Sequence, residues 1–131
     1  MDEGKVINDL LENDAAVGTE IDDRIYPGVG PQDPTMPYCT YQKSSDRVDG
    51  QKDSDSILDE STWDIDIFAK DYSQMVDAAI AIRNALDRFS GTNNEILIDQ
   101  INFRRSVELS EFGNETFQIT QQYDIRRKYT P

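Results

Sequence analysis

The chain has 131 residues, 26 acidic and 13 basic, with no histidine and one cysteine, for a net charge of −13. That length suits one domain able to bury a core without covalent staples, and a charge of this sign opposes binding to nucleic acid by phosphate neutralisation. One cysteine excludes an internal disulfide. No window reaches the ~18–20 apolar residues of a membrane span, and the acidic start MDEGKVINDLLEND lacks the form of a secretory signal, so a soluble cytosolic protein with no membrane partner is expected.

Val6, Ile7, Leu10 and Leu11 recur at helical spacing and predict a short helix from Lys5 to about Asn13. Arg24 to Pro27 reads as a brief extended piece. It opens the stretch RIYPGVGPQDPTMPYCTYQ, which holds four prolines and Cys39. Proline removes an N–H donor and biases the residue before it toward extended backbone. The stretch is therefore expected to be a stiff arm outside the sheet, with Val29, Pro31 and Met36 as candidate contacts to a neighbour. Tyr38 to Lys43, rich in strand formers, follows as a second strand.

Ser44 to Ser61 is dense in aspartate and serine and poor in aliphatic residues, which predicts a mobile acidic loop within a single domain over 1–131. Its carboxylates Asp46, Asp49, Asp53, Asp55, Asp59 and Glu60 are candidate contacts. STWDIDIFA then alternates cleanly, with Trp63, Ile65, Ile67 and Ala69 on one face and Asp64, Asp66 and Phe68 on the other.

KDYSQMVDAAIAIRNALDRFSG predicts a long helix capped by Asp71, with Gln74 completing a capping box and Gly91 offering a left-handed exit. Its stripe is Tyr72, Met75, Ala79, Ile82, Leu86 and Phe89, widened by Val76 and Ile80. Two strands close the chain around a hairpin turn at Gly113-Asn114. One carries Ile101, Phe103, Val107 and Leu109 on a single side, the other Phe117, Ile119, Tyr123 and Ile125. The fold class is α/β of the α+β kind, in the order α-β-β-β-α-β-β. Its sheet is expected to be mixed and mainly antiparallel, with the long helix packed on it.

The absence of histidine removes the Ser-His and Cys-His routes to a nucleophile and the commonest zinc ligand. GVGPQD lacks the third glycine of a phosphate loop and places Pro31 where an N–H is needed. The carboxylates of DGQKDSDS lack the EF-hand order. The pair Asp64 and Asp66 has only the weak suggestion of glycoside chemistry. Cys39 reads as a packing residue. No catalytic, cofactor or metal residue is assigned, and an enzyme is not expected. The cations Arg104, Arg105, Arg126 and Arg127 sit on the two closing strands and read either as balancing local acidic charge or as a docking patch for an acidic neighbour, such as the Asp46–Glu60 segment of another copy.

Taken in order, Arg24-Ile25-Tyr26-Pro27, Pro31-Gln32 with Pro37-Tyr38, Asp64-Ile65-Asp66-Ile67-Phe68, Ile82-Arg83-Asn84-Ala85-Leu86 and Tyr123-Asp124-Ile125-Arg126 resemble the tail completion, or tail terminator, family of long-tailed bacteriophages. The resemblance spans almost the whole chain. It implies a mixed-sheet α/β domain, a homo-oligomer in a hexameric ring, and partners in the tail tube protein and the head-connector (stopper) protein. DNA would pass through the lumen without specific binding. The location implied is the virion tail and neck, after assembly in the host cytoplasm. The alternatives are an acidic binding protein, such as a DNA mimic or inhibitor, and another ring of the head-tail connector, such as a head-closure protein.

Overall fold

The computed structural model describes residues 3–32, 34–49, 57–111 and 116–129. Three helices, α1 (Glu3–Glu12), α2 (Ala15–Ile21) and α3 (Tyr72–Leu86), lie on one face of a six-stranded sheet. The strands are β1 (Ile25–Pro27), β2 (Tyr38–Asp49), β3 (Ile57–Ala69), β4 (Gly91–Asn93), β5 (Ile96–Glu111) and β6 (Thr116–Tyr129), in the spatial order β1-β2-β3-β6-β5-β4. Only β1 and β2 run parallel; every other pair is antiparallel. The sheet is thus mixed and the domain α+β, as expected. The short α2 and β4 are additions to the expected order.

β3 forms the centre because its alternation matches the pleat. Trp63, Ile65, Ile67 and Ala69 are buried beneath the helices, while Asp64, Asp66 and Phe68 lie half-exposed on the other face. Cys39 from β2, Ile98 and Ile101 from β5, and Ile119, Tyr123 and Ile125 from β6 extend that buried surface. Val6, Ile7 and Leu11 of α1, Val17 and Ile21 of α2, and Met75, Ala78, Ala79, Ile82 and Leu86 of α3 close it from above. Each large aliphatic residue taken fully out of water contributes about 1.5–3 kcal/mol. Two buried polar groups are satisfied inside this core. The Tyr123 hydroxyl donates to Gln121 Oε1 at 2.8 Å, and Gln121 Nε2 donates to the Ala79 carbonyl at 3.0 Å, tying β6 to α3.

Asp71 caps α3 as expected, its carboxylate accepting from the Gln74 N–H at 2.8 Å. The exit differs. The helix ends at Leu86, the left-handed residue is Arg88 (φ 69°), and its N–H donates to the Ile101 carbonyl at 2.7 Å. Gly91 (φ 136°) instead opens β4.

The predicted acidic loop of 44–61 is strand at both its ends. β2 continues to Asp49 and β3 begins at Ile57, because Ser45 to Asp49 pair in register with Leu58 to Thr62. Residues 50–56, and with them Asp53 and Asp55, lie outside the described residues, as does the predicted turn at Gly113-Asn114.

β5 departs from simple alternation. Irregularities between Ile98 and Gln100 and between Phe103 and Arg105 each insert one residue relative to β6. An extra residue reverses which face the following side chains point to. Phe103 therefore packs edge-on to Tyr123 on the helix side, whereas Val107 and Leu109, predicted beside it, lie on the opposite face and remain exposed.

Candidate assembly surfaces

The face turned away from the helices is organised in rows. Tyr38, Phe68, Gln118 and Leu109 occupy one, Thr40, Asp66, Thr120 and Val107 the next, and Gln42, Asp64, Gln122 and Arg105 a third. The two aspartates accept hydrogen bonds from their neighbours in these rows, Asp66 from the Thr120 hydroxyl and Asp64 from Gln122 Nε2 at 3.0 Å. Tyr38 stacks on Phe68 with centroids 4.8 Å apart. Partial burial, with Tyr26 nearby, raises the Tyr38 phenol above its ordinary range.

The proline stretch joins β1 to the parallel β2, so it must carry the chain from the level of Tyr41 back to the start of β2 at Tyr38. Arg24 Nε donates to the Pro37 carbonyl at 2.8 Å and fastens its return. Gly30 lies so close to the Tyr38 ring that a Cβ there would come within 2.8 Å of it. Val29 is 84% exposed at the crest, Pro31 is exposed beside it, and Met36 is half-buried at the return.

The candidate charges separate into two groups. Arg127 points to the helix side and is 11% exposed, held by Glu3 of α1 and by Asp59 at 3.0 Å. Lys43 stands 3.6 Å from the same Glu3 carboxylate, which is 1% exposed, and 3.4 Å from Asp46. On the opposite face Arg126 pairs with Glu60 at 3.7 Å and Arg104 with Asp124 at 3.7 Å. The strand register puts Asp59 and Glu60 directly across from Arg127 and Arg126, so these four charges meet within one chain. Asp46 and Arg105 do not meet; they sit on strands at opposite sides of the sheet, and both are exposed. β2 ends at Asp49.

Open depressions flank α3, one of about 490 Å³ lined by Ile80, Arg83, Asn84, Asp87 and Arg88. A smaller one, about 170 Å³, lies between α3 and β5, where Val76, Ile80 and Phe103 face Ile119. Ile80 is 55% exposed there, although the helical stripe predicted it inward. Arg83 lies over the Phe103 ring at 3.9 Å. Tyr72 donates to Glu108 at 3.0 Å, and that carboxylate raises the phenol pKa. Burial pushes the Cys39 thiol up to about 12, which leaves almost no thiolate for reaction near neutrality. Among the described residues no group of carboxylates and cysteine has the spacing to hold a metal ion, and no described helix is long and apolar enough to cross a membrane. Sequence reasoning missed Glu3 and Lys43, because neither carries a signal until the helix and strand are brought together.

These surfaces belong to an α+β domain with helices on one face of a mixed sheet. The profile of the family described as Tail completion protein gp17 matches residues 5–128, and the chain belongs to that family. It is a structural protein of the bacteriophage tail and a component of the virion. No curated protein matches the chain. Among solved structures, a chain from the "Virion of native gene transfer agent (GTA) particle" shares the fold with a TM-score of 0.76 at 15% identity, over 94% of this chain and 92% of that one.

Proposed function

We propose that the protein forms a hexameric ring that ends the tail tube and joins the tail to the head connector. The observation that supports this most is membership of the tail completion family over residues 5–128. The fold suits the role. A ring needs heterologous contacts, with two different surfaces on each subunit. Here the helices cover one face only, Val29 and Pro31 of the proline arm are exposed beside β1, and the strands at the two sides of the sheet, β1 with β2 and β4 with β5, differ in sequence and length.

The tail tube protein would meet one face of the ring and the head-connector protein the other, with assembly in the host cytoplasm. A net charge of −13 per subunit would let DNA slide through the lumen, since there are few cations to replace its counterions. Negative-stain images of the purified protein, alone and mixed with tail tube protein, test the proposal. Six-fold rings, free or at tube ends, are the expected result. A monomer under both conditions would overturn it and favour the acidic inhibitor.

A further inference from the structure

Each side of the sheet is closed by a strand of only three residues, and each leaves half of its neighbour uncovered. β1 pairs with β2 only over Cys39 to Tyr41, so the outward edge of β2 from Gln42 to Asp49 has no strand beside it among the described residues. β4 pairs with β5 only over Ile96 to Ile98, and the segment after α3 extends that cover to Phe103 through Ile101 and the Asp87 carboxylate. From Arg104 to Glu111 the outward edge of β5 is likewise open among the described residues. The row Gln42, Asp64, Gln122, Arg105 divides the two, so the open halves occupy diagonally opposite corners. Residues 42–46 and 104–109 are all exposed. Unpaired strand edges of this kind are templates for another strand.

We infer that the open half of β5 in one copy pairs antiparallel with the open half of β2 in the next, making the sheet continuous between subunits. The assignment rests on the ring proposed above and specifies its contact. Within a chain β2 and β5 run in opposite directions. Two copies set side by side in the same orientation therefore bring β5 against β2 antiparallel. The charges agree with that direction. Antiparallel pairing sets Arg104 and Arg105 toward the Asp46 end of the exposed part of β2, and Glu108 toward its Lys43 end. Parallel pairing would set like charges together at both ends. Because the open halves are at opposite corners, neighbours are staggered by roughly seven residues, or about 23 Å at strand rise. A regular stagger is what tilted strands need in order to close a ring. The added strand also lies beside the depression at Ile80, so its inward side chains would cover that exposed residue.

The competing occupant of the β5 edge is the same edge of a second copy. Its Arg104-Arg105 and Glu108–Glu111 ends are also complementary, but that contact closes as a dimer and leaves β2 unused. Cysteine cross-linking separates the two. Single cysteines are placed at Lys43, Ser44, Ser45 or Asp46 in one set of variants and at Arg105, Ser106 or Val107 in another, with buried Cys39 retained. Variants from the two sets are mixed and oxidised in preparations imaged in parallel, and near-ultraviolet circular dichroism establishes that each is folded. Mixed samples should give covalent dimers, and the best β2 position should fall in number as the β5 position rises. A double variant should give a ladder ending at the ring size. Rings without cross-links, or yields that follow a parallel register, overturn the edge assignment and leave the ring intact. Disulfides within the β5 set alone identify the isologous dimer and overturn it too. Absence of rings in every preparation removes the ring and the assignment together.

Discussion

Arg126 and Arg127 are neighbours in sequence, yet they do different work because adjacent strand residues point to opposite faces. Arg126 reaches Glu60 on the uncovered face, while Arg127 enters the helix side to meet Glu3 and Asp59. Breaking a buried pair leaves a charge out of water without its counter-charge, at a cost of about 3–5 kcal/mol, whereas an exposed pair contributes under about 1 kcal/mol. Arg127→Ala should therefore lose several kcal/mol in urea unfolding, and Arg104→Ala, whose side chain is 56% exposed, should lose little. Equal midpoints for the two variants would mean that the cluster at Glu3 stabilises no more than a surface pair. The same contrast governs how assembly is probed. Arg127→Glu would set a third carboxylate beside Glu3 and Asp59, and the resulting loss of folding would imitate loss of a contact. Substitutions at Arg104 and Arg105 are free of that confusion.

The elements show which sequence signals reach the fold and which stop short. Alternation in STWDIDIFA placed every side chain of β3 from Trp63 to Ala69 correctly, since that strand is paired on both sides and carries no irregularity over those residues. In β5 the same alternation failed past Phe103, because an inserted residue is invisible to a period of two and moved Val107 and Leu109 to the exposed face. α2 was missed because AAVGTEI is two turns long with only Val17 and Ile21 buried, too little for a periodic signal. Ser44 to Asp49 looked unable to order itself, yet it forms strand because β3 lies alongside. The cap of α3 was legible, as it depends on local chemistry alone. Asp71→Ala should remove the acceptor for the Gln74 N–H and cost about 1 kcal/mol. For a domain of this size that is a fall in Tm of about 3–6 °C, measurable by calorimetry. An unchanged Tm would mean that the sheet and the other helices hold the first turn of α3 without its cap.

At the scale of the whole molecule, charge and strand pairing pull in different directions, and salt distinguishes them. Subunits with a net charge of −13 repel one another at long range. That repulsion reaches across a contact in dilute buffer, where the Debye length is about 30 Å, and is largely screened at 0.15 M salt, where it is about 8 Å. Main-chain hydrogen bonds between strand edges are not screened in this way. The complementary ends of β2 and β5 would then choose direction and register, as interfacial charges generally contribute more to specificity than to affinity. The proposed ring should accordingly be scarce at about 0.01 M salt and abundant at about 0.15 M. Sedimentation velocity on one preparation dialysed into both buffers reads the ring fraction directly. A fraction that falls with added salt would show that attraction between opposite charges drives assembly. Main-chain pairing would then be secondary, and Arg104, Arg105 and Asp46 would carry the affinity as well as the direction.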